Sequence, residues 1–301
     1  MKTIDTRGLK RSNILNSPYI LMFIILVFWG SFAAVSKLVL RHIDNFQVQF
    51  YMFGSAFLVM TIMLIFSCKI KKIKELTKKE LFILVLYSLP SFFYYFTYIM
   101  SLKLIPAVEA SMLNYLFPIM IVIFAVPINK ERINKAKVAS ILLGFAGMAV
   151  ILTNGNIGSL KFSNIFGDLL AISAAAFWGI FSNLGKKNSI DSSISNYIYT
   201  FVGFVLSTLS MFMFSSFTVP DAPAFAGLVW IGISNIALTY CLWFKVLKSA
   251  STILVSSLSF ITPFVTLIFI MLLLGEKISF IQVAGFLVII SGILIQLVRH
   301  K

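Results

Sequence analysis

Apolar residues in this chain come in unbroken runs of about 18–23 positions, separated by short polar breaks. A helix of that length crosses a hydrocarbon core of roughly 30 Å. The runs predict ten membrane-spanning helices, near 18–40, 46–66, 80–102, 106–127, 134–153, 165–186, 195–215, 224–246, 251–274 and 279–298. A spanning β-barrel would need apolar and polar residues to alternate, and these runs do not alternate. The connections are short, so no soluble domain is inserted. The first run is too long for a cleavable signal peptide and no small-residue cleavage site follows it, so it is expected to be retained.

Composition agrees with the pattern. Of 301 residues, 59% are hydrophobic and 12% charged, whereas a soluble domain carries about 25% charged residues to face water. The formal net charge of +15 would suit nucleic acid, but its placement does not. Ten spans put both termini and alternate connections on one side. That side holds twenty of the 25 Lys and Arg residues, among them the run "KIKKIKELTKK" at 69–79. The other side keeps Lys37, Arg41, Lys103, Lys161 and Lys277. This bias marks cytoplasmic loops near anionic lipid, so both termini are expected in the cytoplasm and membrane lipid is the partner, not nucleic acid.

The chain also repeats itself. "FWGSFAAVSK" at 28–37 returns as "FWGIFSNLGK" at 177–186, with five of ten positions identical. With an offset of 145, residues 100–152 align without gaps onto 245–297 with 14 identities, including Pro118/Pro263, Glu131/Glu276 and Gly147/Gly292. Two copies of five spans each follow. Because five is odd, the second copy must enter the membrane from the opposite side, an inverted repeat of the kind on which many secondary transporters are built. The expected fold is an all-α membrane protein: a cytoplasmic tail at 1–17, then five-helix repeats at 18–153 and 165–298, around a central cavity.

These motifs resemble the drug/metabolite transporter superfamily, in its ten-helix branch of two EamA-type domains. The carriers are the paired "FWG" openings and the two Pro-to-Glu segments, "LFPIMIVIFAVPINKE" and "FITPFVTLIFIMLLLGE". The first ends in Asn-Lys-Glu where the family has Leu-Gly-Glu. A shorter segment, "EASMLNYLFPI" at 109–119, resembles the aromatic amino-acid exporter group. The resemblance implies solute movement across the inner or plasma membrane, through a cavity lined mainly by helices 1, 3, 4, 6, 8 and 9.

The residues also carry their own reading. Pro118 and Pro263 fall in mid-run, where proline removes a backbone hydrogen bond and frees the carbonyls of Asn114 and Ser259. In lipid such carbonyls need a partner or a cavity. Ser111, Asn114, Tyr115 and Pro118 share one helix face, and Ser256, Ser259, Phe260 and Pro263 repeat the arrangement. These polar stripes suit two walls of a pathway with the prolines as hinges, or interhelical hydrogen-bonding. Tyr95 with Tyr98, and Tyr240 with Trp243, occupy corresponding positions. Tyr95, Tyr240, Trp29 and Trp178 suit an aromatic cage for an apolar or cationic group. Glu109 begins helix 4, where the helix dipole favours a negative charge, and is a candidate for a substrate ammonium or a proton. Asp168 is expected to cap helix 6. Lys37 and Lys186 are expected to snorkel to headgroups, and Glu131 and Glu276 to anchor helix ends.

Other classes lack their chemistry. No P-loop, metal-ligand cluster or reactive constellation is present, so no cofactor, metal or enzyme activity is expected. Charged rings and filter loops, which would mark a channel, are also missing. The sequence therefore points to a secondary carrier of a small amphipathic metabolite, first an aromatic or apolar amino acid; multidrug or other metabolite export and nutrient import stay open. It leaves the oligomeric state open, and a monomer suffices.

Overall fold

Side-chain caps decide where most of the helices begin. Asp44 accepts from the Phe46 and Gln47 N–H groups while the Gln47 side chain returns to the Asp44 N–H, and Thr77 and Glu80 form the same reciprocal box. Asn134, Asn164, Asp191, Asp221 and Ser251 each accept one N–H of the turn that follows. Each cap satisfies a donor that would otherwise stay open at the helix end.

The computed structural model describes residues 17–105, 107–156, 158, 164–274 and 277–298, without the side chains of 33, 34, 37, 102, 107, 108, 111, 270, 273, 274 and 296–298. The tail at 1–16, Lys161, Glu276 and the side chains of Lys37 and Ser111, all singled out by the sequence, lie outside the described residues. The helices are α1 (Pro18–Val39), α2 (Asn45–Phe66), α3 (Lys78–Leu104), α4 (Ala107–Asn114), α5 (Phe117–Asn129), α6 (Lys135–Thr153), α7 (Ile165–Lys187) and α8 (Ser192–Phe214). They continue with α9 (Ala222–Gly232), a π-helical segment (Ile233–Leu238), α10 (Thr239–Ser249), α11 (Thr252–Ser259), α12 (Thr262–Leu274) and α13 (Phe280–Val298). The described residues contain no strand. Among the described residues, eight stretches are long and apolar enough to cross a membrane, and Pro18–Phe32 and Phe280–Ile295 are shorter apolar helices. The chain is an all-helical, multi-pass membrane protein.

One expectation about the helices needs correction. Pro118 and Pro263 do not sit in mid-helix. Each stands in the first turn of a new helix, α5 or α12, after a break at 115–116 or 260–261. Proline is tolerated there because its missing N–H would be open anyway. The Ser259 carbonyl, expected to be freed, accepts the Thr262 hydroxyl at 2.7 Å.

Packing runs across the two halves of the sequence. α6 lies on α13, α2 on α8, α3 and α5 on α7, and α1 on α9, α10 and α12. Small residues set the closest approaches, as bilayer packing favours. A Cβ on Gly147 would come within 2.5 Å of the Gly285 carbonyl oxygen, and one on Gly285 within 2.8 Å of the Gly147 carbonyl oxygen, so α6 and α13 touch backbone to backbone.

The repeated "FWG" phrase acquires a physical meaning here. Trp29 and Trp178 meet edge to face, with ring centroids 5.8 Å apart. The glycine after each tryptophan receives the facing helix: a Cβ on Gly30 would lie 2.6 Å from Val265 of α12, and one on Gly179 only 2.8 Å from the Met120 backbone of α5. Met120 and Val265 are themselves 145 positions apart, the offset of the aligned segments. Each copy thus sends its tryptophan to the centre and seats the other copy's helix on its glycine.

Candidate functional site: an uncharged aromatic cavity closed at one end

The central tryptophans border a cavity of about 160 Å³. That space is far larger than the roughly 10–15 Å³ a single water needs. Its walls come from α1 (Trp29, Phe32), α3 (Tyr94, Tyr95, Tyr98), α4 and α5 (Asn114, Phe117, with Tyr115 between them), α6 (Leu152), α7 (Trp178), the π segment (Asn235) and α12 (Thr262, Pro263, Thr266, Leu267). Aromatic rings make most of the wall: Tyr94 lies 5.0 Å from Trp178, stacks on Tyr98 at 6.2 Å, and Trp29 abuts Phe117 at 5.8 Å. Among the described residues, no lysine, arginine, aspartate or glutamate contributes.

The polar atoms are few and placed. The Asn114 side chain is 5% exposed. Its Nδ2 lies 3.5 Å from the Tyr94 hydroxyl, while its Oδ1 is buried without a partner. A buried acceptor left open costs about 1–3 kcal/mol, which a solute N–H or O–H would offset. Asn235 donates through Nδ2 to Ser234 Oγ at 2.9 Å. The π segment that carries it lets Thr239 Oγ1 reach the Ser234 carbonyl at 2.6 Å; such bulges occur often at functional sites. The same 145-residue offset brings Pro90, inside α3, to Asn235. Both long central helices therefore carry a defect at matching positions.

Of the residues expected at the site, Trp29, Tyr95, Asn114, Tyr115, Trp178 and the hinge candidate Pro263 line the cavity. Tyr240, Ser256, Ser259 and Pro118 are buried outside its wall. Tyr240 hydrogen-bonds Ser91. Ser256 and Ser259 turn back onto the carbonyls of Thr252 and Val255, at 2.8 and 2.9 Å. Serine has that option in any helix, which periodicity does not reveal. Glu109 is buried against α7, away from the wall. Tyr94, Asn235, Thr262 and Thr266 were not anticipated. Thr266, three residues after Pro263, was legible by helix period, and Asn235 by its equivalence to Pro90.

Toward the end of the bundle where α1 starts and α13 finishes, the cavity gives way to packed rings and hydrogen bonds. Phe181 lies 5.1 Å from both Tyr240 and Phe244. Trp243 is fully buried and donates to Ser182 Oγ at 3.0 Å, so it belongs to no interfacial belt. Asn129 donates to Asn183 Oδ1 at 2.6 Å, and Asn183 donates to the Ile121 and Gly179 carbonyls. Lys186 does not snorkel. Its ammonium meets Glu131 at 2.7 Å, Thr252 at 2.8 Å and the Ala250 carbonyl at 3.3 Å, and Thr252 also hydrogen-bonds Glu131. Lys186 and Glu131 are only 19% and 18% exposed, and this ion pair ties the loop after α5 in the first half to α7 in the second.

Known proteins share this architecture. The model of the EamA-like transporter family matches twice, over residues 16–153 and 165–298. The uncharacterized transporter YyaM of Bacillus subtilis is 28% identical over 92% of each chain. An uncharacterized transporter of Archaeoglobus fulgidus is 25% identical over 92% of this chain and 96% of its own. The aromatic amino acid exporter YddG of Ancylobacter novellus is 28% identical over 57% of this chain and 60% of its own. A solved crystal structure superposes with a TM-score of 0.82 at 20% identity, over 93% of this chain and 96% of its own, which shows a shared fold. With an aromatic cavity among its helices and the family pattern over both halves, this multi-pass membrane protein is a transporter and belongs to the EamA-like transporter family.

Proposed function

We propose that the chain is a secondary carrier of ten spans, arranged as two inverted five-helix repeats that alternate access to the central cavity. The observation that carries this reading is the cavity itself: uncharged, walled by aromatic rings, set between the two copies of "FWG" and shut at one end. Contacts mirrored between the halves, α3 and α5 on α7 against α9–α10 and α12 on α1, support the repeat. The lysine- and arginine-rich end that Lys186 closes faces the cytoplasm of the cell membrane, by the excess of positive loops. The cavity then belongs to the outer half of the membrane.

The substrate is a small amphipathic metabolite, in the first instance an aromatic or apolar amino acid. Ring faces hold its apolar body and attract an ammonium group through their quadrupoles. Asn114 Oδ1, together with the Thr262, Thr266 and Asn235 side chains, meets its polar groups. The export group of the partial relative supports this class.

Counterflow in proteoliposomes tests the reading. Vesicles loaded with an unlabelled amino acid should accumulate the same labelled amino acid from outside, saturably and stereospecifically. Labelled tryptophan, phenylalanine, threonine and a sugar form the panel. Flux that rises linearly with concentration would favour a channel, and absence of counterflow for every amino acid would sink the substrate class.

A further inference from the structure

The threonines and asparagines of the cavity wall present acceptors to a solute. A hydroxyl has one hydrogen. Thr262 spends it on the Ser259 carbonyl at 2.7 Å, and Thr266 spends it on the Thr262 carbonyl at 3.1 Å. So bonded, both oxygens offer a solute only lone pairs. Asn114 directs its Nδ2 at the Tyr94 hydroxyl, and its open atom is the acceptor Oδ1. Asn235 has an N–H committed to Ser234 Oγ. At the start of α12 the Ile261, Phe264 and Val265 N–H groups already bond carbonyls, and Pro263 has none.

The rings select in the same direction. Their faces are negative, so they attract a cation within about 6 Å of a centroid and repel an anion. The Trp178 ring stands 5.0 Å from Tyr94 and 5.8 Å from Trp29, so an ammonium against one ring comes near a second. Asn114 reaches the same Tyr94, which brings its open acceptor beside those rings. A carboxylate meets only neutral amide, phenol and indole donors among the described side chains of the wall, and burying a charge without a partner is costly. The size fits one ring and a short chain: an apolar cavity of about 150 Å³ takes up benzene, and this one holds about 160 Å³.

We infer that the cavity recognises the ammonium head of its solute and not the carboxylate, so that arylalkyl amines are its preferred class. Such an amine is an aromatic amino acid without its carboxyl group. Transport of these amines rests on the carrier reading above, whereas their recognition rests on the wall alone. An aromatic amino acid binds through its ring and ammonium, and its carboxylate lowers the affinity.

Isothermal titration calorimetry of the protein in lipid nanodiscs reads recognition without transport. Four ligands share one phenyl ring: phenethylamine carries the ammonium, hydrocinnamate the carboxylate, phenylalanine both, and phenethyl alcohol neither. At neutral pH phenethylamine should bind tighter than phenylalanine and than phenethyl alcohol, by about tenfold or more, and hydrocinnamate should bind weakest. In proteoliposomes phenethylamine should block counterflow of labelled phenylalanine at lower concentration than unlabelled phenylalanine does. An amine that fails to bind, or binds no tighter than phenylalanine or the alcohol, overturns the inference. So does hydrocinnamate binding as tightly as the amine, the result expected if a cation beyond this wall receives the carboxylate. If the amine binds best and phenylalanine shows no counterflow, the amino-acid carrier reading fails while the head-group preference stands.

Discussion

The two ends of this bundle are built from the same repeated phrases and differ in what they do with them. In one half the aromatic rings of Trp29, Trp178 and Tyr94 stand around empty space, with an unpartnered amide oxygen on Asn114. In the other, Phe181, Tyr240, Trp243 and Phe244 are buried against one another, Asn183 is engaged by α5 and by Gly179 of its own helix, and Lys186 by Glu131 after α5 and by Ala250 and Thr252. Ring content is similar, so hydrophobicity does not separate them. What separates them is the use of polar groups: the closed end is cross-linked between the sequence halves through Lys186, Glu131 and Asn183, and the cavity wall keeps an open acceptor on Asn114.

This contrast can be broken most severely where the halves touch. Gly147→Leu places a side chain where a Cβ already meets the Gly285 carbonyl oxygen at 2.5 Å. It should cost about 3 kcal/mol or more, above the usual overpacking penalty because backbone must yield, and thermal unfolding in detergent reads the loss. Lys186→Met comes next. Removing one partner of a fully buried pair costs about 3–5 kcal/mol; the partial exposure here reduces this to about 2 kcal/mol. The double variant Lys186→Met, Glu131→Leu should recover most of it, since no lone charge is left. If both changes left stability untouched, the closed end would not be held by this ion pair.

The cavity end should answer in function instead. Asn114→Leu should weaken solute binding about tenfold, the equivalent of one hydrogen bond, with little change in unfolding temperature; counterflow at graded concentrations separates the two. The smallest effect belongs to the loops. Burial pushes the Asp191 carboxyl up, but the Lys69 ammonium at 2.7 Å and the Ser193 N–H more than offset this, leaving its pKa below the ordinary value. A lowered pKa adds stability above the unfolded carboxylate value and loses it as pH falls through the folded one. Lys69→Ala should therefore cost under about 1 kcal/mol at neutral pH, with the difference from wild type vanishing in acid.

By itself the sequence determined the helical spans, their ends and their doubling. Lipid demands long apolar runs, caps are local chemistry, and both are written in order along the chain. It also marked Trp29, Trp178, Asn114 and Tyr115, because a repeated phrase and a helical period are one-dimensional signals. Tertiary structure alone decided which members of the two equivalent polar sets face the cavity: Asn114 and Tyr115 of the first, Pro263 of the second. Ser256 and Ser259 had the same spacing as their counterparts but satisfied themselves on their own helix. Only the fold could pair Lys186 with Glu131, since the partners lie 55 positions apart, one at the end of α7 and one in the loop after α5. A charge buried in a membrane protein takes its role from the group it meets, and periodicity along one helix says nothing about the neighbour.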